Sequence, residues 1–222
     1  MKGTVIVTPI EHASLALQWG DTTIYSDPVG SAGLYASLPR PDIVLVTHEH
    51  HDHYSPDTLA ALMGPGTVLV TNQRVADMLP AAMKKHLVVM KNGDTHTIDS
   101  LTIDAIPAHN IRTEALQFHP PGRDNGYVIE KDGTRVYVAG DTEGTPEMRA
   151  LKDIDIAFVP MNLPYTMSVE SAAEAVLAFA PKTVYPYHYR GQGGLADVEE
   201  FKQLVEAGNP NIEVLLAEWY KL

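Results

Sequence analysis

The segment after the first continuous apolar run constrains this chain more than any other. Residues 47–53 are Thr-His-Glu-His-His-Asp-His, which places four histidines and two carboxylates in seven positions. Residues 43–46 before it are typical of a strand covered on both faces. Ser55-Pro56 after it favours a helix start, with serine as N-cap and proline at the first helical position. The predicted strand-to-helix loop is either an ordinary polar loop or the ligand loop of a metal site completed elsewhere in the chain.

The absence of cysteine narrows the chemistry of such a site. None of the 222 residues is cysteine, which excludes disulfides, thiolate nucleophiles and cysteine-ligated zinc or iron–sulfur sites. Any metal must be held by nitrogen and oxygen ligands. Imidazole suits zinc, iron and manganese.

Charge and hydropathy set limits on partners and location. The formal net charge is −12, and broad binding to nucleic acid needs clustered Lys and Arg, so we predict no nucleic-acid partner. No apolar run approaches the roughly 18 residues of a membrane span. The short apolar stretch before Pro9 lacks the length and flanks of a signal peptide. We therefore expect one domain over residues 1–222, in the cytoplasm and not at a membrane.

Two rounds of short strands, each followed by strand–helix alternation, predict an α/β (α+β) fold with two packed sheets and outer helices. Residues 30–41 and the long insertion 108–125 are predicted loops, and loops as long as the second are often functional. The predicted strands are residues 4–8, 14–19, 22–26, 43–46, 67–70, 87–90, 95–98, 101–107, 126–130, 135–139, 154–159, 183–187 and 212–217. The predicted helices are residues 56–63, 73–79, 146–151, 169–180 and 198–207.

Further candidate ligands follow other predicted strands. His109, Asp141 and His188 each stand where an apolar strand gives way to a loop. Ligands gathered from several strand ends are what a site at the edge of a sheet requires. Each residue alone would more often be an ordinary hydrogen-bonding side chain.

Together these residues resemble a known family. The run His48-x-His50-x-Asp52-His53, then His109, then Ala139-Gly140-Asp141-Thr142, then His188, resembles the ligand set of the metallo-β-lactamase-fold hydrolases. The resemblance implies a metallo-β-lactamase-type four-layer αββα sandwich. It also implies two divalent metal ions, zinc by default with manganese or iron as alternatives, and a metal-bridging hydroxide that acts as the nucleophile on a small substrate.

The resemblance assigns a role to each matched residue. Asp141 would bridge the ions and, with Asp52, take part in catalysis, since Asp52 could also pass a proton to the leaving group. Asp27, which closes the third strand, matches the aspartate behind the metal loop, although an Asp-Pro turn explains it equally well. Glu49 and His51 are expected to face away. The implied ligands are His48, His50 and His109 for one ion, and Asp52, His53 and His188 for the other.

Substrate contacts are predicted only from loop position. Arginine is well shaped to grip phosphate or carboxylate, and Arg123 lies in the same insertion as several of the candidates. The candidates are Asn110, Arg112, His119, Asn162, Tyr165, Tyr189 and Arg190. Segments around residues 108–110, 125–129 and 139–142 resemble the branch containing sugar-phosphate lactonases and the N-acyl-phosphatidylethanolamine phospholipase D, which implies an anionic ester-type substrate, a phosphodiester or a lactone.

Two other functions remain open at this point. One is a di-iron redox protein on the same fold, which is expected to have a carboxylate where this chain has His50. The other is a metal-stabilised scaffold without turnover. His12, His86 and His96 have no ligand-like context in the sequence and are expected at the surface or in turns.

Overall fold

The computed structural model describes residues 3–220. The chain divides into two compact units, residues up to Lys91 together with a carboxy-terminal segment from Glu218, and Asn92–Ala217. Each unit is built on one large sheet. Among the described residues, no helix is both long and apolar enough to span a bilayer.

Unit 1 contains a six-stranded sheet whose spatial order follows the chain. The first three strands pair antiparallel, and the third to sixth pair parallel. The strands are β1 (Val5–Glu11), β2 (Ser14–Trp19), β3 (Thr22–Ser26), β4 (Ile43–Val46), β5 (Val68–Thr71) and β6 (Leu87–Val89).

Two capped helices join the parallel strands of unit 1. In α1 (Pro56–Leu62) the Ser55 side chain accepts from Thr58 N, and Pro56 begins the helix. In α2 (Gln73–Met78) the Asn72 side chain caps the first turn. Such caps satisfy backbone donors that have no partner inside the helix.

Unit 2 repeats this plan with a seven-stranded sheet of order β15-β12-β11-β10-β9-β8-β7. Strands β7 to β10 pair antiparallel, and β10, β11, β12 and β15 pair parallel. The strands are β7 (Thr95–Ile98), β8 (Leu101–Ala108), β9 (Asp124–Lys131), β10 (Thr134–Val138), β11 (Ile156–Pro160), β12 (Thr183–Tyr187) and β15 (Glu213–Val214), with a separate hairpin of β13 (Arg190–Gly191) and β14 (Gly194–Leu195). The helices are α3 (Pro146–Arg149), α4 (Val169–Phe179) and α5 (Val198–Gly208).

The predicted fold class is confirmed, since the chain is mixed α/β with two large sheets and few helices. Some local predictions were wrong. β1 continues through Pro9 because it lies at the sheet edge, where a missing N–H is tolerated. The predicted last strand, residues 212–217, is only Glu213–Val214, and the β13–β14 hairpin lies where the glycine-rich sequence favours a loop.

Candidate metal centre

Unit 1 brings Asp27 and the histidine loop to the same edge of its sheet. β3 and β4 are parallel neighbours, with Ser26 paired to Leu45, so the residues after each strand leave at one edge. Asp27 N donates to the Leu45 carbonyl at 2.8 Å. A φ of +44° at Asp27 turns the chain at this point.

The Asp27 carboxylate is fully buried and orients one histidine of the loop. It accepts from Thr47 N and from Thr47 Oγ1, each at 2.7 Å. Its Oδ2 also lies 2.8 Å from His53 Nδ1. Because a carboxylate can only accept, Nδ1 carries the proton and Nε2 presents a lone pair. Carboxylate–histidine pairs of this kind orient metal-ligating imidazoles.

His48 and His50 bring two ring nitrogens together. His48 Nε2 lies 3.1 Å from His50 Nδ1, and the Thr47 hydroxyl lies 3.0 Å from His48 Nδ1. The His48 and His53 ring centroids are 4.0 Å apart. Two ligands about 2.05 Å from a tetrahedral zinc ion are about 3.3 Å apart. The spacing of the His48 and His50 nitrogens therefore suits a single ion.

Asp52 is held by a histidine from the first hairpin. Its Oδ2 lies 3.2 Å from His12 Nε2, and His12 Nδ1 lies 2.7 Å from the Tyr220 hydroxyl. The Asp52 side chain is 28% exposed. His12 lies in a turn, as expected, but its ring contacts a predicted metal ligand.

Glu49 and His51 have surroundings different from those of the other loop residues. His51 is exposed, in agreement with the expectation that it faces away. The Glu49 side chain is largely buried, at 12% exposure, with Oε1 3.7 Å from Arg74 Nε.

Unit 2 gathers its candidates at one sheet edge by the same rule. β10, β11 and β12 are parallel neighbours, and β8 runs parallel to β10 because each pairs antiparallel with β9. The residues at this edge are His109 after β8, Asp124 at the start of β9, Asp141 after β10, Asn162 after β11 and His188 after β12.

The nearly buried Asp141 carboxylate lies between two histidines. Its Oδ1 is 3.2 Å from His188 Nε2, and its Oδ2 is 3.3 Å from His119 Nε2. Gly140 N donates to the Tyr187 hydroxyl at 2.9 Å, which ties the turn before Asp141 to β12. The distances from Asp141 to the two histidine nitrogens are close to the separation of two ligands on one ion.

His119 repeats the arrangement of His53. Its Nδ1 lies 3.1 Å from Asp124 Oδ2, and Asp124 is fully buried. Arg123 donates to both Asp124 oxygens, from Nε at 2.6 Å and from a terminal nitrogen at 2.9 Å. Asp124 thereby directs the Nδ1 proton of His119 and leaves Nε2 toward Asp141. Without a bound ion the carboxylates also shift the pKa of His119: burial lowers it, but the hydrogen bonds to Asp124 and Asp141 raise it more, to about 9. A metal ion bound at Nε2 would displace the proton from that nitrogen.

His109 is turned differently. Its Nδ1 lies 3.0 Å from the Asn110 carbonyl, and its backbone N donates to Thr142 Oγ1 at 3.0 Å. The ring is only partly buried. The histidine whose nitrogen contacts Asp141 from the 109–123 loop is therefore His119.

Comparison with known proteins places the chain in a family. The family model for the beta-lactamase superfamily domain matches residues 7–188. The chain belongs to the metallo-β-lactamase superfamily. A metal-dependent hydrolase of the UPF0173 group from Thermococcus kodakarensis is 30% identical over 203 residues, covering 87% of this chain and 89% of the relative.

Solved structures agree with this family. A protein from Parabacteroides distasonis, assigned as a metal-dependent hydrolase, superposes with a TM-score of 0.86 at 39% identity and 99% coverage of both chains. Igni18, a metallo hydrolase from Ignicoccus hospitalis, gives a TM-score of 0.80 at 26% identity, covering 98% of this chain and 96% of that one. The chain is a metal-dependent hydrolase of the metallo-β-lactamase superfamily, which confirms the family that the sequence resembles.

The donor sets fit a divalent metal in this superfamily member. Each unit has a buried carboxylate–histidine pair whose Nε2 faces other candidate ligands. Three pairs of ligand atoms lie 3.1 to 3.3 Å apart, His48 with His50 and Asp141 with each of His119 and His188. Imidazole with carboxylate is a ligand set that zinc, iron and manganese accept.

Most of the predicted substrate residues in the 109–123 loop have structural partners. The Asn110 amide donates to the Ala115 carbonyl at 2.9 Å and to the Tyr165 carbonyl at 2.7 Å. The Arg112 guanidinium contacts the Glu143 carboxylate and donates to the Thr166 carbonyl at 2.7 Å. These contacts fix the loop to neighbouring segments, and a role in substrate binding stays a prediction.

The remaining predicted substrate residues lie around His188. Asn162 is buried, with Nδ2 3.3 Å from His188 Nε2. The Tyr165 ring stacks edge-on against Phe118 with centroids 5.0 Å apart. Tyr189 is buried and Arg190 is exposed. Their contact with substrate stays a prediction.

Proposed function

We propose that the chain hydrolyses a small anionic ester-type substrate, a phosphodiester or a lactone, with two divalent metal ions as cofactors. The observation that carries this proposal is the pair of buried carboxylate–histidine contacts, Asp27 with His53 and Asp124 with His119. Each leaves one Nε2 lone pair oriented as a ligand. Zinc is the default ion for such a donor set, with manganese or iron as alternatives.

The proposed ligands come mainly from the family resemblance. Six of them are His48, His50, Asp52, His53, Asp141 and His188. The resemblance assigns the seventh place to His109, but the contact of His119 Nε2 with Asp141 supports His119 instead. We therefore propose His119 as the seventh ligand and keep Asp27 and Asp124 as the carboxylates that orient the two histidines.

The chemistry divides between the ions and the side chains. When bound, divalent ions lower the pKa of a water ligand to about 7 and polarise the scissile group. Asp141, which lies between His119 and His188, would help to hold the ions. Asp52 is the most exposed of the proposed carboxylates, and it can pass a proton to the leaving group.

The preference for an anionic substrate follows from charge. In the ligand set that the resemblance implies, Asp52 and Asp141 would add two negative charges to two divalent ions, which leaves net positive charge in an acidic protein. Arg112 and Arg123 are engaged with Glu143 and Asp124, so they contribute little to attracting an anion. A single functional domain over residues 1–222 is supported by the family match, which includes residues of both units. The cytoplasmic location stays a prediction from sequence.

The first test is metal stoichiometry in purified protein and matched variants. We expect the wild type to bind two ions and His50→Ala to lose affinity at one site. We expect His119→Gln to weaken binding and His109→Ala to retain both ions. The reverse result for the last two variants would return His109 to the ligand set. A wild type without tightly bound metal, together with no effect of His50→Ala, would refute the proposal.

The second test is a substrate panel on metal-loaded protein. It contrasts phosphodiesters such as bis(p-nitrophenyl) phosphate with lactones, and the preferred class identifies the branch. Absence of hydrolysis with every metal would favour the scaffold alternative. Bound iron with redox activity and no hydrolysis would favour the di-iron alternative.

A further inference from the structure

The turn between β1 and β2 carries a histidine in an unusual backbone conformation. Glu11 pairs with Ser14, which leaves His12 and Ala13 as the turn residues. The φ of His12 is +54°, a region that residues with a Cβ atom rarely adopt. Two-residue hairpin turns favour glycine or asparagine at positive φ. A histidine in this conformation points to a use for its side chain.

The His12 ring joins the carboxy-terminal segment to the metal loop. Its Nε2 lies 3.2 Å from Asp52 Oδ2, and its Nδ1 lies 2.7 Å from the Tyr220 hydroxyl. The Tyr220 ring meets the His12 ring edge-on, with centroids 5.6 Å apart. Trp219, the residue before Tyr220, is only 1% exposed, so the segment that carries the hydroxyl is anchored.

The chemistry of these three groups fixes the direction of the contacts. A carboxylate only accepts, so His12 Nε2 carries the proton that is donated to Asp52. In the neutral ring Nδ1 then accepts, and the Tyr220 hydroxyl is its donor. The Tyr220 hydroxyl thus donates to His12 Nδ1, and His12 Nε2 donates to the Asp52 carboxylate.

We propose that His12, supported by Tyr220, is a positioning residue that holds Asp52 in the conformation required for metal binding. This inference rests on the proposed function, in which Asp52 is a ligand. His12 contacts Oδ2, the oxygen that also lies 3.9 Å from His53 Nε2, and this contact fixes the side-chain torsions of a carboxylate that is partly exposed. Residues that orient metal ligands in this way typically change metal affinity about 10–100-fold when they are removed.

The deciding variant is His12→Gly, tested by Zn²⁺ affinity in competition with a chromophoric chelator and by thermal unfolding of the metal-free protein. Glycine accepts a φ of +54° without strain, so we expect the melting temperature to hold or rise. We expect the Zn²⁺ affinity to fall about 10–100-fold. A purely structural role would move the two readouts in the same direction.

Two further variants and a matched control complete the test. His12→Gln keeps an N–H donor for Asp52 and is expected to recover much of the affinity, while Tyr220→Phe is expected to lose a smaller part than His12→Gly. The control is Asp99→Gly, a positive-φ turn residue of unit 2 with φ +51°, which should leave Zn²⁺ affinity unchanged.

The outcomes separate this inference from the function on which it rests. If wild type binds Zn²⁺ tightly and His12→Gly binds it equally well, the positioning role is refuted while the proposed function stands. If wild type binds no Zn²⁺, the proposed function fails, and this inference fails with it. Equal losses in the glycine and glutamine variants would also contradict donation to Asp52.

Discussion

The substitution Asp27→Asn tests how far a buried carboxylate orients His53, a proposed metal ligand. Asparagine keeps the side-chain volume and tolerates the left-handed φ of +44° at this position, so backbone strain is not added. Its oxygen can still accept from Thr47 N, but its NH₂ group would face His53 Nδ1. His53 would then have to present a lone pair at Nδ1 and carry its proton on Nε2, the nitrogen proposed to bind metal.

The structure allows both effects of this change to be sized. In the wild type Oδ2 accepts from both His53 Nδ1 and Thr47 Oγ1. The variant therefore loses two hydrogen bonds to a charged, fully buried acceptor, each of which corresponds to about 1.5–3 kcal/mol of unfolding free energy. Loss of an orienting carboxylate should also weaken metal binding about 10–100-fold. Urea unfolding of the metal-free protein measures the first effect, and chelator competition the second.

A second variant separates orientation of His53 from packing. Ser14→Ala removes a buried hydroxyl that donates to the Asp27 backbone carbonyl at 2.6 Å but leaves the contact between the Asp27 carboxylate and His53. It should destabilise the protein with a much smaller change in metal affinity. The reasoning is refuted if Asp27→Asn binds metal as tightly as the wild type, or if the two variants weaken metal binding equally.

Two predictions concern the fold around unit 2. Glu143→Gln removes the charge of a buried carboxylate that contacts Arg112. Because Arg112 is partly exposed, we expect the free energy of unfolding in urea to fall by only about 1–2 kcal/mol. An unchanged urea midpoint would contradict this prediction. Gly126→Ala would place a Cβ atom 2.6 Å from the Ala139 carbonyl oxygen, so we expect the free energy of unfolding to fall by about 1–3 kcal/mol. The control is Gly66→Ala, where a Cβ meets nothing within 4 Å. It should change the free energy of unfolding by less than about 0.5 kcal/mol.

Much of the fold was predictable because its strands are short and clearly bounded. The run at residues 43–46 is fully buried in β4, and the Ser55-Pro56 signal marks the start of α1. The change from antiparallel to parallel pairing also occurs in both units, as the two rounds of the sequence pattern predict. Candidate ligands were found for the same reason, since they directly follow strands that the sequence identifies.

The contact of His119 with Asp141 was not predictable from the same kind of signal. It lies ten residues after His109 in a loop, and the sequence favoured the residue that directly follows the strand. In the structure the loop folds back, and Asn110 N donates to the His119 carbonyl at 2.9 Å. This backbone contact brings His119 to the start of β9, where Asp124 accepts a hydrogen bond from His119 Nδ1. No local sequence pattern predicts that this loop folds back.

The contacts of His12 and Arg112 were missed because their partners are distant in sequence. Tyr220 is 208 positions from His12, and Glu143 is 31 positions from Arg112. The turn at His12 also lacks the glycine or asparagine that identifies a tight hairpin. Sequence patterns predict which element a residue belongs to, but side-chain pairs between elements depend on packing that those patterns do not encode.

The two orienting carboxylates are effective because other donors already occupy them. Thr47 supplies two hydrogen bonds to Asp27, and Arg123 supplies two to Asp124. A buried carboxylate without donors would be costly and would tend to take up a proton. With these donors in place, each carboxylate directs a remaining lone pair at one histidine, His53 or His119. The Nε2 orientation in each unit therefore follows from groups that do not themselves bind metal, which is why substitution of those groups should change metal affinity while the fold is retained.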